Sequence, residues 1–209
     1  MLVSLVALVI SIKYYHRHRS LKIFTWYILS SLTEDAAGTY HYLAGVDKVI
    51  PAMIGGVVTN LFMLAEYIIF TYFMLTYISS VKRKWIIRIS SLLFFAIMAF
   101  LWIKFPKTIY MEFFSLESLF LVLPCLFYFY ELFMKVQAEP LGSQPAFWIV
   151  TGILFLNACS IPLSLTIGMM GKYDDAAYSL NYILYILLFI LIIRAYLCKP
   201  ESPVPARAR

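Results

Sequence analysis

Acidic side chains inside long apolar runs are the residues of this chain that packing explains least. Glu66 is the only Asp, Glu, Lys, Arg or His in residues 53–78, and Glu34 and Asp35 are adjacent within residues 23–43. A carboxylate inside a membrane is costly unless it is hydrated or paired, and such residues commonly bind ligands or carry protons. The pattern therefore indicates a ligand or proton site, or else buried acids that only hydrogen-bond to neighbouring helices.

Other polar side chains share a helical face with these acids. At about 100° per residue, Asn60 falls within the same third of the helical wheel as Glu66, and His41 falls on the same side as Glu34. Three later apolar runs carry similar polar stripes. The full set of candidate ligand-pocket or proton-site residues is Glu34, Asp35, His41, Asn60, Glu66, Glu117, Asn157 and Asn181.

The stripe in residues 113–134 contains a proline and a second acid. Glu117, Pro124, Tyr128 and Glu131 lie on one side of the predicted helix, and Pro124 is expected to kink it. Glu131 precedes Lys135 by four residues, so the simplest expectation for Glu131 is an ion pair at the inner membrane boundary.

The residue spacing predicts neither a metal site nor a catalytic group. His41 is the only histidine within an apolar run, and the chain has no HxxxH or HExxH pair. Cys125, Cys159 and Cys198 show neither metal-ligand spacing nor a disulfide framework. A GxSxG motif and a nucleophile beside a base are also missing. We therefore predict no catalytic residue, no metal and no cofactor, and the features disfavour an enzyme without excluding one.

Composition places the chain in a membrane. Of its 209 residues, 63% are hydrophobic and 13% are charged, whereas soluble domains are nearer half apolar and a quarter charged. The formal net charge of +6 could suggest a nucleic-acid partner, but the basic residues cluster between apolar runs instead of along one surface. We therefore predict that the chain contacts a lipid bilayer and does not bind nucleic acid.

The apolar runs predict an all-α, polytopic integral membrane protein. Residues 1–198 form a single seven-helix transmembrane domain, and residues 199–209 form a short basic tail. Residues 44–52 and 171–179 are expected as outer loops, and the Pro- and Gly-containing segment 136–145 as an inner loop. The predicted helices cover residues 1–15, 23–43, 53–78, 85–103, 113–134, 146–170 and 180–197.

The basic residues orient this bundle. With the N-terminus outside and the C-terminus in the cytoplasm, most Lys and Arg residues fall on the inner side, as the positive-inside rule requires. We therefore predict a multi-pass protein of the inner (plasma) membrane. The inner set is Lys13, Arg17, Arg19, Lys22, Lys82, Arg83, Lys84, Arg88, Lys135, Arg194, Lys199, Arg207 and Arg209, and the outer set is Lys48, Lys104, Lys107 and Lys172.

The depths of the polar residues predict a pocket that opens outward. Most of the candidate residues fall between the outer surface and the midplane, and Glu66 lies deeper. The second, third, fifth, sixth and seventh predicted helices therefore point polar stripes at one axis, which describes a pocket inside a bundle. The first and fourth predicted helices carry no such set and are expected to be peripheral. Scattered interhelical hydrogen bonds remain the alternative explanation.

Four short motifs give the chain a general resemblance to known proteins. They are SLTEDAAG in the second predicted helix, the N-x5-E pattern of Asn60 and Glu66, SLES in the fifth helix and FWIVTG at the start of the sixth. With the overall layout, they resemble uncharacterised bacterial seven-transmembrane proteins, including the membrane sensor regions attached to or paired with histidine kinases. The resemblance implies a sensing or signalling role, with a partner protein such as a histidine kinase.

Three classes of function fit the sequence. The first is a sensor or receptor-like bundle that detects a ligand in an outward-facing polar pocket and signals through a partner. The second is a small transporter or proton-coupled carrier that uses the intramembrane acids. The third is an intramembrane enzyme acting on lipid, which the lack of a nucleophile and base pair disfavours. The sequence also allows a homo-oligomer. An opsin is excluded because the seventh helix has no lysine within the membrane.

Overall fold

All regular secondary structure in the described part of the chain is helical. The computed structural model describes residues 2–43, 49–104, 111–134, 140–170 and 175–199, without the side chains of residues 19, 38, 40–43, 49–57, 111–113, 166–170 and 175–178. Over these residues the predicted all-α class is confirmed. The helices are α1 (Leu2–Lys13), α2 (Lys22–Leu43), α3 (Val49–Tyr77), α4 (Val81–Lys104), α5 (Met111–Met134), α6 (Pro145–Met170) and α7 (Asp175–Leu197), with 3₁₀ turns at Arg19–Leu21 and Leu141–Ser143.

Five of these helices are long and apolar enough to cross a membrane. They are α3 to α7, each with an apolar stretch of 19 to 24 residues, which spans roughly 30 Å at about 1.5 Å per residue. α1 has 12 residues and reaches only ~18 Å. α2 has 22 residues but contains Lys22, Glu34 and Asp35. The five apolar helices indicate a multi-pass membrane protein.

The start of α3 differs from the prediction. The helix begins at Val49, whereas residues 44–52 were expected to form an outer loop. Proline breaks a helix by removing an N–H donor, but the first four N–H groups of a helix have no intrahelical acceptor. Pro51 lies in this first turn and is therefore compatible with the helix.

Six of the seven described helices pack in a closed ring. Following the ring, α1 contacts α2, α2 contacts α3, α3 contacts α5, α5 contacts α6, α6 contacts α7, and α7 returns to α1. α4 lies outside this ring and packs against α5 and, less extensively, against α3. The predicted peripheral position of the fourth helix is therefore confirmed, and that of the first helix is wrong.

Small side chains explain why α1 belongs to the ring. Ser4, Ala7 and Ser11 lie on one face of α1, and all three are buried. Small residues let helices approach closely in a membrane, where shape and not hydrophobicity drives association. The peripheral position was predicted because α1 lacks a polar stripe, but its stripe of short side chains is what allows the close contact.

Aromatic side chains fill the contact between α2 and α3. Phe24, Tyr27, Phe70 and Phe73 are essentially inaccessible to solvent. The ring centroids of Phe24 and Phe73 are 4.9 Å apart with the rings nearly perpendicular, and those of Tyr27 and Phe70 are also 4.9 Å apart. Such pairs add about 0.5–1.5 kcal/mol each beyond the area they bury. This cluster fixes α2 against α3, and Tyr27 extends from it toward the interior of the ring.

Glu131 joins α5 to the start of α4. Its carboxylate accepts hydrogen bonds from the backbone N–H groups of Ser79 and Ser80 at 2.9 and 3.0 Å, and from the Ser79 hydroxyl. It also pairs with Arg83 Nη1 at 2.8 Å. The ion-pair partner in the structure is therefore Arg83 of α4, and the predicted partner, Lys135, lies outside the described residues.

The predicted polar stripe of α5 faces inward. Glu117, Pro124, Tyr128 and Glu131 are all buried. Pro124 lies within the helix, so the carbonyl group of Phe120 loses the N–H that would normally bond to it four residues later.

The contact between α6 and α7 depends on the missing side chain of Gly152. A Cβ atom at this position would lie 2.8 Å from Leu188 Cδ1 and 3.3 Å from Leu191 Cδ1. We expect Gly152→Ala to be tolerated, because only the tip of Leu188 has to move. We expect Gly152→Val to lower the free energy of unfolding by about 1–3 kcal/mol, because a branched side chain overpacks the contact.

Thermal unfolding of the purified chain tests this expectation. Adding Leu188→Ala to Gly152→Val should recover part of the lost stability, because it removes the clashing atoms. Equal melting temperatures for the Ala and Val variants would show that α6 and α7 do not pack this closely.

The segment after α1 folds back onto α7 at the end of the bundle that carries most of the basic residues. His18 is buried there, and its ring lies edge-on to that of Tyr196, with centroids 6.2 Å apart. The Tyr196 hydroxyl donates a hydrogen bond to the Leu21 carbonyl at 2.7 Å. Burial, and then the positive charge of Arg17, lower the pKa of His18, while hydrogen bonds to the backbone of Tyr196 and Cys198 oppose the shift.

This histidine should make stability depend on pH. The folded state disfavours the protonated imidazole of His18. In the unfolded chain this imidazole has its ordinary pKa of about 6.5. Near and below that pH the unfolded chain therefore binds more protons than the folded one, and the free energy of unfolding falls as the solution is acidified. We expect the melting temperature to drop between about pH 8 and about pH 5.5, and His18→Gln to reduce this drop. His16→Gln is the matched control, because His16 is exposed, and an equal effect of both variants would contradict the assignment.

Candidate functional site

A cavity of about 430 Å³ lies inside the ring, at one end of it. Its lining residues come from the N-terminal ends of α1 and α5, from the N-terminal to central parts of α3 and α7, and from the central to C-terminal parts of α2 and α6. The ring neighbours α3 and α5, and also α7 and α1, therefore run in the same direction, whereas the other ring neighbours run in opposite directions. The cavity lies at the end away from the turn 78–80 and its Glu131 contacts. No residue of α4 lines it, which agrees with the position of α4 outside the ring.

Most of the predicted site residues lie on this cavity. Six of the eight, Glu34, Asp35, Glu66, Glu117, Asn157 and Asn181, contribute to its wall. Asn60 is half-buried on α3 outside the wall, and its Oδ1 atom is buried without a hydrogen-bond partner among the described residues. His41 belongs to α2, and its side chain lies outside the described part of the structure. That these residues bind a ligand or carry a proton stays a prediction.

Glu66 lies near the middle of α3, and 4% of it is exposed. Tyr27 donates a hydrogen bond to Glu66 Oε1 at 3.4 Å, and Tyr185 donates one to Oε2 at 3.3 Å. Both distances exceed the usual ~2.7–2.8 Å for hydroxyl donors. Among the described residues, no Lys, Arg or His lines the cavity. Within the described part of the chain, two long hydrogen bonds from tyrosine are therefore the contacts of this carboxyl group.

Glu117 is the second buried carboxyl group on the wall. It comes from α5, is 4% exposed, and its Oε1 atom has no hydrogen-bond partner in the described part of the chain. Leaving a buried polar atom unpaired costs free energy. The fold therefore keeps an acceptor at the cavity that no donor of the described residues satisfies.

Glu34 and Asp35 form the acidic part of the wall on α2. Thr59 of α3 donates a hydrogen bond to Glu34 Oε1 at 3.4 Å. Asp35 lies beside Glu34 on the same wall. These two residues extend the acidic part of the cavity wall from Glu66 toward the end of the ring.

The polar side chains of α6 bond to their own helix. Asn157 Nδ2 donates to the Ile153 carbonyl at 2.8 Å, and the Ser160 hydroxyl donates to the Leu156 carbonyl at 2.8 Å. Ser164 donates likewise to Ser160. Bonds of this kind bend helices slightly, and Pro162 lies between the two serines. α6 therefore supplies a polar wall without linking to a neighbouring helix through these donors.

Two parts of this site were not predicted from the sequence. Tyr27 was not recognised, although it precedes Ser31 by four residues and Glu34 by seven and therefore shares their helical face. Ser4, next to the cavity on α1, was missed because the first helix was expected to be peripheral. Extending the periodicity by one turn toward the N-terminus of α2 would have found Tyr27.

Comparison with protein-family models, with curated proteins and with solved structures finds no match to this chain. The chemistry of the site therefore has to be inferred from its own residues. They offer hydrogen-bond acceptors and carboxyl groups beside aromatic and aliphatic walls, in a cavity whose volume is typical of small-molecule sites, about 300–1,000 Å³.

Proposed function

We propose that this chain is a seven-span membrane sensor that binds a small ligand in the ring cavity and signals through a partner protein. The observation that carries the proposal is the convergence of polar side chains from six helices on one cavity of about 430 Å³. Polar groups inside a membrane bundle are expensive and mark functional sites more often than packing positions.

The charge distribution supports an orientation with the cavity facing outward. The exposed basic residues of the described chain concentrate at the end opposite the cavity. That end is therefore cytoplasmic by the positive-inside rule, which puts the N-terminus outside and the C-terminus inside the plasma membrane. α1 and α2 complete the seven spans, with α1 shorter than the others. The exposed members of this basic set include Lys13, Arg17, Lys82, Arg88, Arg194 and Lys199.

The basic end is the surface available to a signalling partner. Lys82 and Arg88 of α4 and Arg194 of α7 are exposed there. A cytoplasmic or membrane-bound partner such as a histidine kinase would contact this end. The partner would then read changes in the ring helices that surround the ligand.

Topology mapping tests the orientation. We expect a reporter enzyme fused after Arg209 to be active only where cytoplasmic activity is required. A single cysteine introduced at Asp174, in a chain whose native cysteines are replaced, should react with an impermeant thiol reagent from outside. Activity of the fusion on the outer side of the membrane would exclude an odd number of spans.

Filling the cavity tests ligand binding. A library of small molecules is screened for thermal stabilisation of the purified full chain, and each hit is repeated with Ser160→Phe, which places a large side chain on the wall. We expect the stabilisation to vanish in this variant and to persist in Ala158→Phe, because Ala158 is exposed on the same helix. Hits that survive Ser160→Phe would bind elsewhere, and a library without hits would count against a ligand cavity.

A small proton-coupled carrier is the second candidate. The buried carboxyl groups of Glu66 and Glu117, with no basic residue on the described wall, favour it because such groups can carry protons. A pH-sensitive dye inside proteoliposomes separates the two candidates. A carrier moves protons when a substrate gradient is applied, whereas a sensor binds the ligand without net flux.

A further inference from the structure

The cavity has an unbalanced charge. Glu34, Asp35, Glu66 and Glu117 line it, and no Lys, Arg or His does so among the described residues. Low-dielectric walls concentrate the field of such groups and raise the local concentration of cations. Anionic ligands are disfavoured there for the same reason.

Two of these carboxyl groups are placed to accept hydrogen bonds from a ligand. Glu117 is 4% exposed, and its Oε1 atom has no hydrogen-bond partner within the part of the chain that the structure describes. Among the described residues, the hydroxyl groups of Tyr27 and Tyr185 donate to Glu66 at 3.4 and 3.3 Å. A charged N–H donor forms stronger bonds to a carboxylate than a neutral hydroxyl does. A cationic ligand would therefore satisfy the unpaired atom of Glu117 and improve the bonding of Glu66.

The composition of the wall separates an organic cation from a metal ion. In the described part of the chain, no three His, Cys, Asp or Glu residues lie close enough to hold one metal ion. The wall also contains Phe62, Phe114 and Phe189. Aromatic faces attract ammonium groups and bury the apolar part of an organic molecule, so the wall suits an amine with an apolar body.

Tyr27 brings the charged and aromatic parts of the wall together. Its hydroxyl group reaches Glu66, and its ring lies nearly parallel to those of Phe62 and Phe189, with centroids 6.0 and 6.1 Å away. A molecule that places an ammonium group at Glu66 therefore meets aromatic surface directly beside it.

We propose that the ligand of the cavity is an organic ammonium ion, with its charged nitrogen between Glu66 and Glu117 and its apolar body against Phe62 and Phe189. This inference rests on the proposed function, since it names the class of ligand for the same site. The competing explanation is that the two carboxyl groups share a proton and bind no cation.

Matched probes that differ in charge test the proposal. Phenethylamine is compared with 2-phenylethanol, and choline with 3,3-dimethylbutan-1-ol, by calorimetric titration of the full chain in lipid nanodiscs. We expect each ammonium ion to bind about tenfold or more tightly than its neutral partner. For phenethylamine, one charge-assisted N–H hydrogen bond to a buried carboxylate allows this difference. Choline has no N–H group, so its preference would come from its charge beside the carboxylates and the aromatic faces.

Variants connect this preference to the carboxyl groups. Glu117→Gln should remove most of the preference for the ammonium probes while leaving the melting temperature of the unliganded chain near that of the wild type. Glu131→Gln is the matched control, because Glu131 is a buried glutamate of the same helix that does not line the cavity, and it should keep the preference.

The outcomes separate this inference from the proposed function. Alcohols that bind as tightly as amines, or a Glu117→Gln variant that keeps the full preference, would overturn the ammonium ligand and leave the ligand cavity standing. If neither member of either pair binds the wild-type chain, the ammonium ligand is contradicted, and the library screen with Ser160→Phe decides whether the cavity binds another ligand.

Discussion

Glu131→Ala is expected to lower the free energy of unfolding by about 3 kcal/mol, the largest loss of stability that we expect from a single polar substitution in this chain. Two backbone N–H groups at the start of α4 lose the carboxylate that accepts their hydrogen bonds, and bonds to a charged group contribute about 1.5–3 kcal/mol each. The ion pair with Arg83 adds less, because 26% of the Arg83 side chain is exposed and solvent screens it.

Two further variants divide this loss into its parts. Glu131→Gln keeps a carbonyl acceptor for one N–H group and should lose about half as much stability. Arg83→Ala removes only the partly exposed ion pair and should cost about 1 kcal/mol or less. The measurement is the unfolding free energy of the purified chain in mixed micelles, and equal losses for Arg83→Ala and Glu131→Ala would show that the ion pair, and not the capping of α4, holds this end together.

Glu66→Gln is expected to abolish ligand binding and output while leaving the fold intact. The amide keeps the size of the carboxyl group. Its oxygen accepts a hydrogen bond from one of Tyr27 and Tyr185, and its NH2 group donates to the hydroxyl oxygen of the other, so packing is preserved. It cannot carry the negative charge or exchange a proton as the acid does. The melting temperature should stay level or rise, because functional residues often reduce stability.

Paired measurements on the same protein preparation test this expectation. Expression and melting temperature report on the fold, and binding of the ammonium probes with output through the partner reports on function. Glu66→Asp should keep part of the activity, since it retains the charge on a shorter side chain. A Glu66→Gln variant that matches the wild type in all of these measurements would assign Glu66 to packing, and Glu34 and Asp35 would then be the leading site candidates.

Local patterns predicted most of the helices and much of the cavity wall. The lengths of the apolar runs predicted the helices to within a few residues, because the thickness of the hydrocarbon core fixes the length of a membrane-spanning helix. The helical periodicity of polar residues predicted that Glu34, Glu66 and Asn157 face a common interior, because each polar stripe has to face away from lipid. These inferences depend only on the helix that contains each residue.

The features that were missed depend on contacts between helices. α1 belongs to the ring because the small side chains of Ser4, Ala7 and Ser11 allow α2 and α7 to approach it closely. The polarity of a helix does not indicate how closely its neighbours can pack. The partner of Glu131 was sought four residues along its own helix, whereas Arg83 reaches it from α4. Tyr27 was missed for a similar reason, because its role is defined by Glu66 on another helix.

Pro124 divides α5 into two arms of equal length that can tilt relative to each other. Glu117, on the cavity wall, lies seven residues before it, and Glu131, which holds the start of α4, lies seven residues after it. Each arm is therefore ~10 Å long, and a tilt of ~10° at the proline displaces its end by ~2 Å. A displacement of that size exceeds the tolerance of a hydrogen bond. The site of lowest bending resistance in α5 thus lies midway between the carboxyl group that faces the cavity and the one that anchors the outermost helix.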